Sequence, residues 1–301
     1  MNILITGGSG LVGKKLSKTL TENGHNVAIL SRKEEVSNYK VYTWNIERNQ
    51  IDLKAIEESD CIVHLAGANI GEKSWSDNQK ELILKSRVDS ANLLFKTAKD
   101  INKSFKCVVS ASAVGCYGAI TTNHIFKETD AYGNDFLGSV CKNWEASIDQ
   151  FQSLNTRIVK LRTAMVLDKD GGALKKIIKP VKLGVASALG SGRQYVTWIH
   201  INDLVNIYAK AIEDENLSGA YNCASMDQKT NKEFMQILAK VFHKPFWPFN
   251  VPSFVLKTIY GEMANILLEG SRVDISKILS TGFKFQYNYL EDALKSLYID
   301  V

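Results

Sequence analysis

A chain of 301 residues that is 45% hydrophobic and 23% charged, with only four prolines, can bury one large core or two modest ones, and this composition excludes disordered and fibrous architectures. The net charge of +5 is mild and the Lys and Arg residues are scattered among acids, so a nucleic-acid partner is not expected. Five cysteines (Cys61, Cys107, Cys116, Cys141 and Cys223) without CxxC spacing predict neither a disulfide framework nor a zinc site, and five dispersed histidines predict no metal.

The first residues, MNILITGG, read as a strand that begins at once, with no room for a signal peptide, and no apolar run reaches membrane-spanning length. A cytoplasmic location without a membrane partner is therefore expected. Short apolar runs then alternate with amphipathic stretches. NILITG (2–7), NVAILS (26–31), YKVYTW (39–44), CIVHLAG (61–67), KCVVSAS (106–112) and RIVKLR (157–162) read as strands, and most lack the polar alternation of a sheet wetted on one side. Helices are predicted over LVGKKLSKTLTENG, ending at Gly24, and from about residue 78 to 100. The pattern implies an α/β fold, a Rossmann-like doubly wound parallel sheet.

After Arg162 the rhythm changes. Residues 171–200, rich in glycine, are expected to leave the sheet, and 201–223, with NDLVNIYAKAIED and AYNCAS, to return to it. The division predicted is a dinucleotide-binding domain over 1–170 plus the returning segment. A smaller, mainly helical substrate lobe would be formed by 171–200 and 224–301.

ITGGSGLVG places Gly7, Gly10 and Gly13 at GxxGxxG spacing between a strand and a helix. The first glycine permits a tight turn, the second lets backbone approach a pyrophosphate, and the third lets helix and sheet pack closely, with the helix start attracting the anion. Ser9, Leu11 and Val12 complete this turn. The second strand ends in Ser31 and Arg32 with no acid, and a guanidinium there suits the 2′-phosphate of NADP better than the free hydroxyl of NAD. Leu65, Ala66 and Gly67, at the end of CIVHLAG, are expected beside the cofactor, whereas His64 reads as a core residue. Arg87 faces either cofactor or solvent.

These segments together resemble the extended short-chain dehydrogenase/reductase superfamily, which contains the nucleotide-sugar epimerases. SASAVGCYG (110–118), DFLGSVCKNWE (135–145), LRTAMVLDKDGGAL (161–174), LGSGRQYVTWIHINDLV (189–205) and GFKFQYNYLEDAL (282–294) are similar to its atypical, sugar-nucleotide epimerase-like branch, which has its own small C-terminal domain. The insert GVASALG and the loop SMDQKTN depart from the branch where a substrate is expected to sit.

In the superfamily a serine, a tyrosine and a lysine act together, the lysine lowering the phenol pKa and orienting the ribose. The resemblance assigns the serine to Ser112 and the lysine to Lys142, and it places Gly138 where the tyrosine belongs. Tyr117 is a substitute acid, with water and the substrate itself as further proton sources. Cys141 reads as a buried structural thiol. On the substrate side, Arg193 and Gln194 are expected to reach a ligand. Trp198 and His200 either do the same or dock the excursion onto the sheet. The implied function is an NADP-dependent oxidoreductase or epimerase-like protein acting on an unidentified small molecule. The alternative is a non-catalytic NADP sensor.

Overall fold

The structure, a computed structural model, describes residues 1–33 and 37–299. In chain order the strands begin with β1 (Asn2–Thr6), β2 (Asn26–Ser31), β3 (Lys40–Asn45), β4 (Gln50–Ile51), β5 (Cys61–His64) and β6 (Cys107–Ala113). They continue with β7 (Ile125–Phe126), β8 (Arg157–Thr163), β9 (Met165–Leu167), β10 (Tyr195–Val196), β11 (Trp198–His200), β12 (Gly219–Cys223), β13 (Lys229–Thr230) and β14 (Arg272–Val273). Eight of them form one sheet in the order β12-β8-β6-β5-β1-β2-β3-β4, parallel throughout except that β4 runs antiparallel to β3. All four residues of β5 are buried, which is why CIVH shows no polar alternation.

Helices cover both faces. The chain passes from α1 (Leu11–Glu22) through α2 (Leu53–Glu57) and α3 (Asp77–Asp100) to α4 (Phe136–Asp149), and later α5 (Gly172–Lys182) and α6 (Ile201–Glu213). Leu16 and Leu20 of α1 and Ile207 of α6 pack on Ile3, Ile5, Val63 and Val109. On the opposite face Leu94 of α3 and Trp144 and Ile148 of α4 pack on Leu4, Ile62, Val108 and Ile158. The odd and even residues of each strand thus feed two separate cores, and each fully buried Leu or Ile contributes on the order of 1.5–3 kcal/mol.

From β1 the chain builds β2 and β3 on one side, then returns to build β5, β6, β8 and β12 on the other. The crevice beyond the carboxyl ends of β1 and β5 is therefore the switch point at which such sheets accept ligands. Residues 171–200 leave the sheet as α5 and a loop and come back through β11, which pairs with β9, while α6 and β12 rejoin the sheet.

The remaining helices are α7 (Asn231–Val241), α8 (Ser253–Tyr260), α9 (Asn265–Leu268), α10 (Ser276–Ser280) and α11 (Leu290–Tyr298). Leu174 and Ile178 of α5, Phe234 and Leu238 of α7, Leu290 and Leu294 of α11 and Trp198 make a third core. Buried Asp203, in the first turn of α6, clips the C-terminal segment down by accepting the N–H groups of Gln286 and Tyr287 at 2.7 and 3.1 Å. Among the described residues no helix is long and apolar enough to cross a membrane.

Candidate functional site

The turn between β1 and α1 has the shape its glycines require. Gly7 has φ +71°, and a Cβ there would lie 3.0 Å from the Leu65 carbonyl; a Cβ on Gly13 would lie 2.4 Å from the Gly7 oxygen. Gly10 is the N-cap of α1, its own N–H donating to the Gly7 oxygen at 3.0 Å, and no side chain caps the helix or places an acid in its first turn. Half-buried Leu11 and Val12 therefore open a helix whose positive end is left free for an anion, with Ser9 exposed beside it. This cradle fits a dinucleotide pyrophosphate: side chains are excluded where the backbone must approach, and no carboxylate opposes the charge. Ser31 and Arg32 stand at the end of β2, Ser31 half-buried and Arg32 exposed.

Across the switch point, buried Thr6 accepts the N–H groups of both Leu65 and Ala66 at 3.1 Å, fixing the backbone that follows β5. At the next residue, Gly67, the close neighbour is a side chain rather than backbone. A Cβ there would lie 2.9 Å from Cζ of Arg87, which crosses it from α3. The Arg87 guanidinium donates to the Ile83 carbonyl at 2.9 Å and lies 5.1 Å from the Trp144 ring centre. Burial lowers its pKa, and among the described residues no carboxylate pairs with it. Beneath it the Trp144 indole N–H donates to His64 Nδ1 at 3.2 Å, and His64 Nε2 meets Ser90 Oγ at 2.9 Å. Burial, then the Arg87 charge, press the His64 pKa down to about 3, so this histidine is a neutral core group, as its apolar flanks predict.

The residues expected to handle a proton are placed elsewhere. Ser112 is buried and donates to Glu145 Oε1 of α4 at 2.7 Å, because strand alternation turns it toward the helix while Ala113, with no hydroxyl, faces the other way. Tyr117 is buried at the end of a 3-10 turn, stacked on Phe126 with ring centres 4.9 Å apart. Its hydroxyl donates to Asn222 at 2.7 Å and accepts from Arg162 at 3.1 Å, and burial raises its pKa. Both hydroxyls, expected from the sequence to face the cleft, are bonded to internal partners in this structure.

Those partners share one buried network. Arg162 of β8 grips both Glu145 oxygens at 2.9 and 3.0 Å and also bonds the Tyr132 hydroxyl and the Glu128 carbonyl. Burial drives the Glu145 pKa up, but the guanidinium more than offsets this and leaves it lowered. The sequence reading missed Arg162, Glu145 and Asn222. The available signal was that charged residues fall within two runs rich in core-type residues, Arg162 in RIVKLR and Glu145 in CKNWEASI.

Gly138, in the position of the missing tyrosine, is packed against backbone. A Cβ on it would lie 2.1 Å from the Gly133 oxygen, and a Cβ on Gly133 would lie 2.6 Å from both Cα and N of Gly118. Three glycines from separate segments thus stack main chain on main chain. Asp135 locks the stack, accepting from Gly138 N at 2.8 Å and Ala119 N at 2.6 Å. One turn further along α4, Lys142 is exposed and forms no ion pair among the described residues. Its neighbour Cys141 is buried against the Ala113 carbonyl, its thiol pushed up to about 12 by burial, in keeping with a structural role.

On the lobe side, three of four expected substrate contacts turn inward. Trp198 is fully buried and its indole N–H donates to the Asp227 carbonyl at 2.7 Å. His200 caps α6, Nδ1 accepting from Asn202 N at 3.2 Å, and packs on Tyr287 at 3.8 Å; burial, then Lys15, lower its pKa to about 4. Gln194 is buried and donates to the Leu189 and Leu267 carbonyls at 3.0 and 2.8 Å. These side chains dock the excursion. Arg193 alone of the four is exposed.

The sequence model of the NAD dependent epimerase/dehydratase family matches residues 3–224. The chain belongs to this family. A second match, over residues 251–297, is to a domain of unknown function (DUF1731). Among curated epimerase/dehydratase relatives, an epimerase family protein of Staphylococcus aureus (strain N315) is 34% identical over 298 residues, covering 98% of each chain. One from Mycobacterium leprae is 32% identical over 293 residues, 97% of this chain and 94% of that one. Among solved structures, that of human epimerase family protein SDR39U1 (isoform 2) with NADPH superposes with a TM-score of 0.88 at 29% identity, covering all of both chains. A UDP-glucose 4-epimerase from Thermotoga maritima, solved with UDP-glucose, shares the fold at a TM-score of 0.78 and 20% identity, covering 99% of this chain and 97% of that one. The Rossmann-like sheet expected from the sequence is therefore that of an NAD(P)-binding short-chain dehydrogenase/reductase.

Proposed function

We propose that this epimerase/dehydratase family member is an NADP(H)-dependent oxidoreductase or epimerase-like protein that acts on an unidentified small molecule in the cytoplasm. The observation that carries the reading is the glycine cradle over an acid-free helix start, with a cation and no acid ending β2. The human relative solved with NADPH supports the choice of NADP over NAD. In this reading Gly7, Gly10 and the start of α1 hold the pyrophosphate, Arg32 the 2′-phosphate and Lys142 the nicotinamide ribose. When bound, the nicotinamide supplies a hydride donor or acceptor.

The protein's own contribution is orientation more than acid–base chemistry. Ser112 ties the sheet to α4 and Tyr117 ties its turn to β8 and β12, so in this reading a proton comes from water or from the substrate. Arg87 and Arg193 are the cations left to meet an anionic group. A second reading, a non-catalytic NADP sensor, is favoured by the same sealed hydroxyls.

The test is stereospecific deuteride transfer from labelled NADPH to a panel of carbonyl compounds, with Tyr117→Phe alongside. Turnover that survives this change with at most a small loss is expected. Abolished turnover with unaltered NADPH affinity and stability would return the proton to Tyr117. Binding without transfer across a broad panel would favour the sensor.

A further inference from the structure

We propose that the tip of the C-terminal lobe docks on an anionic membrane surface. The sequence reading excluded a spanning segment and expected no membrane partner; the surface of the folded lobe points to peripheral contact. The segment after α5 runs beside the one after α7: Ala186 pairs with Phe246, Leu189 with Val251, and Trp247 donates its backbone N–H to the Ala186 carbonyl and its indole N–H to the Gly184 carbonyl, both at 2.7 Å. This paired ribbon presents Leu183, Val185, Trp247 and Phe249 to solvent, and Phe254, in the first turn of the α8 that follows it, is exposed as well, with Leu183 81% and Phe249 80% exposed. Apolar side chains left this open in two adjoining segments are not accounted for by packing within the monomer. Pro245, Pro248 and Pro252 lie in the same segment and restrict its backbone, which lowers the ordering cost of presenting the aromatics.

Charge selects the occupant. Residues 171–202 and 234–261 contain no Asp or Glu, yet carry five and three Lys or Arg respectively. Lys179, Lys182, Lys244 and Lys257 are all exposed and lie in the segments that flank the ribbon in the chain, and among the described residues of these two segments only Lys240 pairs with a carboxylate, that of Glu291. Acid-free stretches also occur at 1–21 and 101–127, and what sets these two apart is that they carry the most exposed large apolar side chains, Leu183, Phe249 and Phe254. A second copy meeting through the same face would set lysines against lysines. Exposed aromatics flanked in the chain by lysines without acids match the headgroup region of an anionic bilayer, where the rings enter the interface and the lysines meet lipid phosphates.

The experiment is sedimentation of the full-length protein with vesicles of phosphatidylcholine alone and of phosphatidylcholine mixed with phosphatidylserine, at low and moderate salt. Binding to the mixed vesicles, weakened by salt, is expected, with a blue shift in Trp247 emission that Trp247→Phe removes. Phe249→Ser together with Phe254→Ser should lower partitioning by about tenfold or more, and Lys182→Gln by about fivefold. Unchanged thermal midpoints and NADPH affinity in these variants would show that the fold is intact. Failure to bind the mixed vesicles, or equal binding to both kinds, would overturn the proposal. So would a dimer in ultracentrifugation that Phe249→Ser dissolves, because it would assign the face to a second copy.

Discussion

Replacing Gly138 by alanine tests the account of the missing tyrosine. Glycine to alanine within a helix ordinarily stabilises by about 1 kcal/mol. Here the new Cβ would sit 2.1 Å from the Gly133 oxygen and 2.6 Å from its carbonyl carbon, whereas real Cβ atoms essentially never come within 3.0 Å of such neighbours. The loop cannot retreat freely, because Gly133 rests on Gly118 and Asp135 ties both ends together. Overpacking of this kind costs about 1–3 kcal/mol, and backbone on both sides puts the cost at the upper end. Set against the propensity gain, the net loss is about 2 kcal/mol, or a fall in thermal midpoint of roughly 4 °C. Circular dichroism melts of the two proteins measure it. An unchanged or higher midpoint for Gly138→Ala would refute the claim that the position is closed by backbone packing. Gly138→Tyr is expected to destabilise further and to restore no acid–base function.

Two further predictions concern the buried polar groups. Arg162→Met should cost about 3–5 kcal/mol by stranding Glu145 without its partner, and adding Glu145→Gln should recover part of that loss in denaturant titrations. The lowered Glu145 pKa stabilises the wild type above about pH 4.5, and this contribution is lost as pH falls through the folded value, so the acid limb should flatten in the double variant. His64 and His200, with folded values of about 3 and about 4 against 6.5 unfolded, act in the same direction. The unfolded chain takes up protons first, so stability should fall below pH 6.5 by up to about 1.4 kcal/mol per pH unit for each histidine, until its folded pKa is reached. Urea midpoints that stay flat between about pH 6.5 and 4 would contradict the burial of both rings.

What the sequence disclosed depended on whether a residue's neighbours were close in the chain. Most strands of the large sheet and the glycine turn are local patterns, and they appear where apolar runs and GxxGxxG spacing put them, whereas the two-residue β4 has no such run and β5 stops at His64, short of the predicted 67. Gly138 stood out as an absence, but its reason lies in Gly133 and Gly118, which only the tertiary fold brings to it. Ser112 matched a motif by order, yet the face of a strand it occupies turns on a single residue of register. Trp198, His200 and Gln194 are chemically able to bind a ligand, and only burial and bonded partners show that they hold the excursion in place. Arg162 and Glu145 were hidden because charges in core-like runs look like solvated ends until their pairing is seen.

The central claim, a nicotinamide cradle that prefers NADP, is tested most directly by titrating the purified protein with NADPH and NADH, with Arg32→Ala measured in parallel. The account predicts that NADPH binds at least about tenfold more tightly, and that Arg32→Ala loses about 1–3 kcal/mol of NADPH binding while leaving NADH almost unaffected. Tighter binding of NADH by the wild-type chain, or no binding of either nucleotide, would contradict it.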